Sequence, residues 1–421
     1  MLTALALFPF LQSAIKQPSL PTPEPGYTRP KNRVAGDKAL RILFLRTSFE
    51  NDVDQTGSRH SEEDLKRIGA DLGAFFKIQS YGSMSVEKVE VTPVVKIGKS
   101  DIYEKTDAAG TAKPAKESRP VIGDAILAAT KQLGRDLKSE FDMICVMING
   151  SPTKGRIAPT GVAALATGPQ NSIFFASKPG WRVFAHEIGH NFGFPHGWSV
   201  AAKTGDLTLP GIGERAFTEY GDPMTPMGRG SNSYSVVEKY RMGWIGSAST
   251  DARYIKKFEP GPISFMAYDQ PDAKGLVGGY LEGDFGVELR ELVSKRDGSD
   301  NGGEAPTVAM PGPQRLWLSV ITMRNLIQGA MADSGSAILV AHLSSLVPPA
   351  KGGSKAFTTV SIDLKPSGAK KRREAMSDRG LVPGESGTIQ LKDGRQMTIK
   401  FGGYDSVSKM ASIETSVISK P

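Results

Sequence analysis

The amino-acid sequence predicts an α+β protein in which a mixed sheet with helices is followed by an all-β region. Three observations lead to this prediction. A helical stripe of apolar residues starts near Ser61, and a continuous apolar run typical of a buried strand spans Phe141–Ile148. After Asp251, short β-like runs alternate with turns rich in glycine, proline and aspartate, and helical periodicity largely stops. We therefore expect the second region to be a β-sandwich.

Composition places the chain among ordinary soluble globular proteins. Of its 421 residues, 39% are hydrophobic and 23% are charged, and the length allows two domains with their own cores. The net charge of +8 is spread along the chain. The densest basic run, Lys370–Arg373, is soon followed by acidic residues and has no interleaved aromatic residues, so we expect no nucleic-acid partner. We expect a monomer.

The amino-terminal segment resembles the hydrophobic region of a signal peptide. Its apolar stretch is shorter than a membrane span, although no lysine or arginine precedes it. No later run approaches 18 apolar residues, so we expect a secreted or extracytoplasmic protein without a membrane anchor. The predicted segments are a signal peptide (1–14), a proline-rich linker (15–37), an α+β domain (38–250) and a β-rich accessory domain (251–421).

The elements of the α+β region follow in order. A strand begins at Leu40, and Ser61 with the acidic residues after it caps a helix. The next predicted elements are a strand region over Val86–Ile97, a helix near Val121–Leu137, the strand Phe141–Ile148, two short apolar runs (Val162–Ala166 and Ile173–Ala176) and a helix from Trp181. Cys145 is the only cysteine, so no intramolecular disulfide can form, and its apolar surroundings predict an inert core thiol.

The helix from Trp181 carries the pattern HEIGHNFGFPH, from His186 to His196. His186 and His190 are four residues apart, so their imidazoles project from one helix face and can share a tetrahedral ion. Gly193 permits the left-handed turn that brings back His196 as a third ligand. Three imidazoles favour one Zn²⁺ ion and leave a fourth position open for water, as in catalytic sites. Glu187 is then placed to act on that water as a general base.

A second pattern lies downstream, with YGDPMTPMG from Tyr220 to Gly228 and EKYRMGWI from Glu238 to Ile245. Together with the histidine motif, it resembles the metzincin zinc endopeptidases, and in particular the gametolysin (autolysin) family. The resemblance covers about residues 38–246. It implies a metzincin (zincin-like) catalytic domain with a twisted mixed sheet and an active-site helix. It also implies that Met227 is the methionine of the turn beneath the metal, with Met224 as the alternative.

The sequence departs from other metzincins at the position two residues after Met227. Astacins and serralysins have a tyrosine there, whereas this chain has Arg229. Tyr220, Tyr234 and Arg229 therefore all remain candidates for stabilising the oxyanion. The resemblance also implies that Val162–Ala166 is an edge strand that pairs with an extended peptide substrate. An ordinary surface hairpin is an equally good interpretation of that segment.

We therefore expect a zinc-dependent endopeptidase that acts on extracellular or cell-wall polypeptides, with no substrate-binding residues assigned. The alternative is a zinc-stabilised, catalytically inactive binding or adhesion protein. Asp297–Gly303 looks like a calcium loop, but Val308 occupies the twelfth position, where an acidic ligand is needed. A plain flexible loop is therefore the stronger interpretation of this segment, and a calcium site is the weaker alternative.

Overall fold

The computed structural model describes a set of segments that together include both predicted regions. These are residues 34–51, 60–99, 105–106, 112–113, 119–148, 162–164, 172–175, 179–202, 215–218, 220–247, 249–283, 285, 314–322, 337–345, 359–364, 380–391 and 393–418. The predicted signal peptide, the calcium-like segment and the basic run Lys370–Arg373 lie outside the described residues. Of the predicted linker, only residues 34–37 are described.

The first half of the chain contains both strands and helices. In chain order its elements are β1 (Ala39–Phe49), α1 (Glu62–Gln79), β2 (Ser85–Val91), β3 (Val95–Ile97), β4 (Lys105–Thr106), β5 (Ala112–Lys113), α2 (Arg119–Leu133), α3 (Leu137–Glu140), β6 (Met143–Ile148), β7 (Val162–Ala164), β8 (Ser172–Phe175) and α4 (Trp181–Phe192). The mixed α+β character predicted from the sequence is confirmed.

The remaining elements are mainly strands. They are β9 (Trp198–Ala202), β10 (Arg215–Thr218), α5 (Val236–Arg241), β11 (Arg253–Lys257), β12 (Pro262–Met266), β13 (Gly275–Gly283), β14 (Gln314–Ile321), β15 (Ile338–Ser345), β16 (Thr359–Ile362), β17 (Ser386–Gln390), β18 (Gln396–Asp405) and β19 (Met410–Ile418). All described elements after α5 are strands, as predicted for this part of the chain.

The first sheet is mixed and has the order β2-β1-β6-β8-β7, with β3 also paired to β1. All its pairs are parallel except β7 with β8. Successive side chains of β1 face opposite sides, so Ile42 and Phe44 pack with α1 and α4, while Leu43 and Leu45 pack with α2. Helices cover both faces, which explains why the central strand β6 is continuously apolar.

The boundaries differ from the prediction at two places. The strand region Val86–Ile97 is split into β2 and β3, which pair with successive parts of β1. The helix predicted to Leu137 ends at Leu133, because Gly134 takes a left-handed conformation (φ 64°) that stops the helix. At α1 the prediction is confirmed, since the Ser61 hydroxyl accepts from the Asp64 amide and the Asp64 carboxylate accepts from the Ser61 amide.

Two further sheets form the second half of the molecule. The larger has the order β10-β9-β16-β15-β14-β13-β11, and the smaller has the order β12-β19-β18-β17. A large apolar core joins them, including Leu318 and Leu343 from the larger sheet and Ile399 and Phe401 from the smaller. The smaller sheet therefore packs on one face of the larger, as in a sandwich.

The opposite face of the larger sheet packs on the first half of the chain. Trp317 and Val340 of this face share an apolar cluster with Val237 and Tyr240 of α5. In addition, β9 and β10 precede residue 250 but belong to the larger sheet. The predicted domain division after residue 250 remains a prediction, and the structure shows that the larger sheet takes strands from both sides of it.

Cys145 is fully buried in β6, and burial raises the pKa of its thiol above the ordinary range. This agrees with the prediction of an inert core thiol. Among the described residues, none of the helices has the length and apolar character needed to cross a membrane.

Candidate metal centre

Helix α4 and the turn after it bring three histidines together. Gly193 ends the helix with a left-handed φ of 99°, a conformation that disfavours side chains with a Cβ. The chain then returns, so that ligand nitrogens of His186, His190 and His196 lie within 4.8 Å of one another. No other group of three or more potential metal ligands is found among the described residues.

Backbone carbonyls fix the tautomers of two of these histidines. The Nδ1 atom of His186 is 2.8 Å from the Pro226 carbonyl oxygen, and Nδ1 of His190 is 2.7 Å from that of Phe194. Because a carbonyl oxygen only accepts hydrogen bonds, Nδ1 carries the proton in both rings. The lone pair is therefore on Nε2, which is the state that binds a metal ion.

The donor set fits zinc. Burial lowers the pKa of His186 to about 4, so its imidazole is neutral at physiological pH. Neutral imidazoles suit borderline ions such as Zn²⁺, and three of them leave one coordination position for water or substrate. A metal is thus indicated by the structure, and zinc is the ion that these ligands favour.

Glu187 lies beside the first histidine but is not part of the cluster. Its side chain is buried, and among the described residues its Oε2 has no hydrogen-bond partner. Burial raises the pKa of this carboxyl group to about 8, a shift that a nearby cation would oppose. A buried carboxyl oxygen without a hydrogen-bond partner destabilises the fold, and the role of Glu187 as a general base remains a prediction.

The loop from Tyr220 to Gly230 closes under helix α4. Met227 is fully buried and contacts Gly189, where an added Cβ would overlap its sulfur atom. Gly189 lies between the first two histidines, so Met227 packs directly against the helix segment that carries them. Met224 belongs instead to the cluster that faces the larger sheet. Met227 therefore lies against the helix that carries the histidines and Met224 lies towards the larger sheet, while the assignment of Met227 as the turn methionine remains a prediction.

Replacing Met227 by leucine is expected to cost less than about 1.5 kcal/mol of stability, because the volume is nearly conserved. Activity should fall only modestly, since no ligand or proton donor is lost. Met227→Lys should destabilise far more by placing a charge against the buried glycine of the helix. Urea unfolding of both variants beside the wild type measures this. Equal destabilisation by leucine and lysine would show that Met227 does not pack in this buried position.

The three oxyanion candidates differ in their surroundings. The hydroxyl of Tyr234 is buried and donates to the Ala185 carbonyl oxygen at 2.7 Å. This hydrogen bond holds Tyr234 against helix α4. Arg229 is exposed, and its amide donates to the Asp222 carbonyl oxygen. Tyr220 is close to the cluster, with its ring centroid 4.0 Å from that of His196 and 5.6 Å from that of His186.

Comparison with known proteins agrees with this geometry. The family model for the gametolysin peptidases (M11) matches residues 128–264, a segment that includes the three histidines, Glu187 and the loop from Tyr220. This segment is gametolysin-like. The resemblance suspected from the two motifs is thereby confirmed, over less than half of the chain. A search of curated proteins found no match to the chain.

Sequence reasoning missed two residues that hold the gametolysin-like loop. The Nε2 atom of His342 lies 3.0 Å from Oδ2 of Asp222, and both side chains are buried. His342 is one of only five histidines in the chain, which was a usable signal. Its partner, however, lies 120 positions away, and nothing in the local pattern connects the two.

Proposed function

We propose that the protein is a zinc-dependent endopeptidase with a metzincin-type catalytic region, and that His186, His190 and His196 bind one catalytic zinc ion. One observation carries the proposal. The gametolysin-like segment contains a cluster of three histidines, two of which are held in the tautomer that binds a metal ion. The next residue after the first histidine is Glu187, whose carboxyl group is buried and has an oxygen without a hydrogen-bond partner among the described residues.

The chain's own residues supply the remaining chemistry. Zinc, when bound, would lower the pKa of a water molecule and polarise the scissile carbonyl. The carboxylate of Glu187 takes a proton from the attacking water and then delivers it to the nitrogen of the leaving amine. The carbonyl oxygens of Pro226 and Phe194 accept from Nδ1 of His186 and His190, which orients both rings and leaves Nε2 available to bind the ion.

We further propose that the substrate binds as an extended strand along β7. This strand is at the edge of the first sheet, antiparallel to β8, and lies next to helix α4. An edge strand offers free backbone donors and acceptors to any extended peptide. This arrangement favours cleavage within unfolded or extended polypeptide segments. Because the family resembled here acts outside cells, we propose an extracellular polypeptide as substrate.

Tyr220 is the residue we propose for stabilising charge on the scissile carbonyl oxygen. Its ring contacts His196, and it adopts a positive φ of 58°, which is strained for a tyrosine and is frequent at functional sites. Tyr220→Phe is expected to lower kcat by about 10²-fold with little change in KM, because the donor acts mainly in the transition state. Steady-state kinetics on a fluorogenic peptide measures this, and Tyr234→Phe is the control that should retain kcat. An unchanged kcat in Tyr220→Phe would contradict the assignment.

Digestion of casein by the purified, zinc-loaded protein tests the proposed function. We expect internal cleavages, seen by mass spectrometry as new peptide termini, and a chelator should abolish them. The alternative, a zinc-stabilised binding or adhesion protein, predicts zinc binding without any new termini. That result, obtained with fully zinc-loaded protein, would contradict the proposal.

A further inference from the structure

His342 is part of β15, and its side chain lies on the face of the larger sheet that packs against the gametolysin-like loop. Its side chain is fully buried, on the same sheet face as Trp317, its neighbour on β14. Because Oδ2 of Asp222 is an acceptor, Nε2 of His342 carries the shared proton. Among the described residues, Nδ1 has no hydrogen-bond partner, so the polar contact of this side chain is directed at Asp222.

Asp222 in turn organises the loop. Its Oδ1 accepts from the Met224 amide at 2.9 Å, and its carbonyl oxygen accepts from the Arg229 amide at 2.8 Å. Its own amide donates to the Gly197 carbonyl oxygen at 3.1 Å. The loop is closed tightly on this residue, since a Cβ at Gly228 would overlap the Asp222 carbonyl oxygen. Movement of Asp222 would therefore move both ends of the loop.

Two of the three histidines depend on this loop. The Pro226 carbonyl oxygen accepts from Nδ1 of His186, and the Met227 carbonyl oxygen accepts from the Gly197 amide, directly after His196. From these contacts we infer that His342 is a positioning residue of the metal centre, which it holds in its metal-binding geometry through Asp222. The inference rests on the proposed function, because it concerns the zinc site described above.

The consequence is that part of the metal centre is built by the β-rich half of the chain. Groups that hydrogen-bond metal ligands directly typically change metal affinity by about 10- to 100-fold when they are removed, and His342, which acts through Asp222, should reach the lower end of that range. His342→Leu and His342→Met remove the donor while they fill the buried space. His342→Gln keeps a side-chain N–H that can still reach Asp222. Ser344→Ala is the control, because Ser344 is buried on the same strand face and accepts from Trp317 Nε1 at 2.8 Å.

The experiment measures zinc affinity by competition with a chromophoric chelator, using the full-length protein and each variant after metal removal. We expect Kd to rise about 10-fold in His342→Leu and His342→Met, and to return to within about threefold of wild type in His342→Gln. Ser344→Ala should retain wild-type zinc affinity even though it loses a buried hydrogen bond. The absorption spectrum of the Co²⁺-loaded forms should change in the same variants and not in the control.

Other results with the variants overturn the inference. Wild-type zinc affinity in a folded His342→Leu or His342→Met variant would show that the metal centre does not need His342. If neither variant folds, or if Ser344→Ala weakens zinc binding equally, the role of His342 is structural. Failure of the wild type itself to bind zinc would instead contradict the proposed function, so the two failures are distinguishable.

Discussion

Glu187→Ala is expected to lower kcat by about 10²–10⁴-fold while zinc content and fold are retained. The reason is that Glu187 directly follows the proposed ligand His186 in the chain but is not one of the three nitrogen ligands. Its loss removes proton transfer without removing a ligand. Steady-state hydrolysis of a fluorogenic peptide, with zinc measured in the same samples by elemental analysis, gives both quantities.

Glu187→Gln sharpens this result, since the amide has the same shape as the carboxylate but cannot accept the proton. We expect it to be as inactive as Glu187→Ala. Glu62→Ala is the matched control, because Glu62 is on the surface of α1 in an exposed ion pair with Lys66. Activity of Glu187→Ala within about threefold of wild type, at equal zinc content, would contradict the assignment of a general base.

The double variant His190→Ala/His196→Ala is expected to lose zinc and with it all measurable hydrolysis. One remaining imidazole cannot hold the ion against dialysis, because tetrahedral zinc sites need at least three protein ligands. The stabilisation that zinc gives to the folded state should vanish as well, so added zinc should raise Tm in the wild type only.

His60→Gln is the control for the double variant. His60 is also buried and contacts the Pro179 carbonyl oxygen, but it is not part of the three-histidine cluster. Its replacement should leave zinc content unchanged. Zinc retained at one ion per chain in the double variant would show that the metal is bound elsewhere.

Local features of the site could be predicted from the sequence because they depend on short spacings. The separation of His186 and His190 requires only a helix, and Gly193 marks where that helix must end. The capping of α1 by Ser61 and the burial of Cys145 follow in the same way from neighbouring residues. Each of these features depends on residues that are close together in the chain, where propensity and hydrophobic period are informative.

Long-range features could not be predicted. The pairing of β9 with β16 places Trp198 beside Val360, and no period in the sequence connects these positions. Which strands pair in this way is determined by tertiary packing rather than by local propensity. The same applies to Tyr234, whose hydroxyl donates to the Ala185 carbonyl oxygen, and to Tyr220, whose positive φ of 58° follows from no local sequence pattern.

The β-rich half of the chain is therefore more than an appended module in this structure. Its strand β16 pairs with β9, which begins two residues after His196. Its strand β15 carries His342, which contacts the loop beneath helix α4. A binding role for its outer surface is compatible with this arrangement. Its contacts to the loop nevertheless tie it to the metal centre.

The most direct test of the central claim is to titrate the metal-free protein with zinc while the rate of casein hydrolysis is measured. The account predicts no hydrolysis without metal, a linear rise of the rate with added zinc, and an end point at one zinc ion per chain. Hydrolysis that is independent of zinc, or full zinc binding at that stoichiometry without any cleavage, would contradict it.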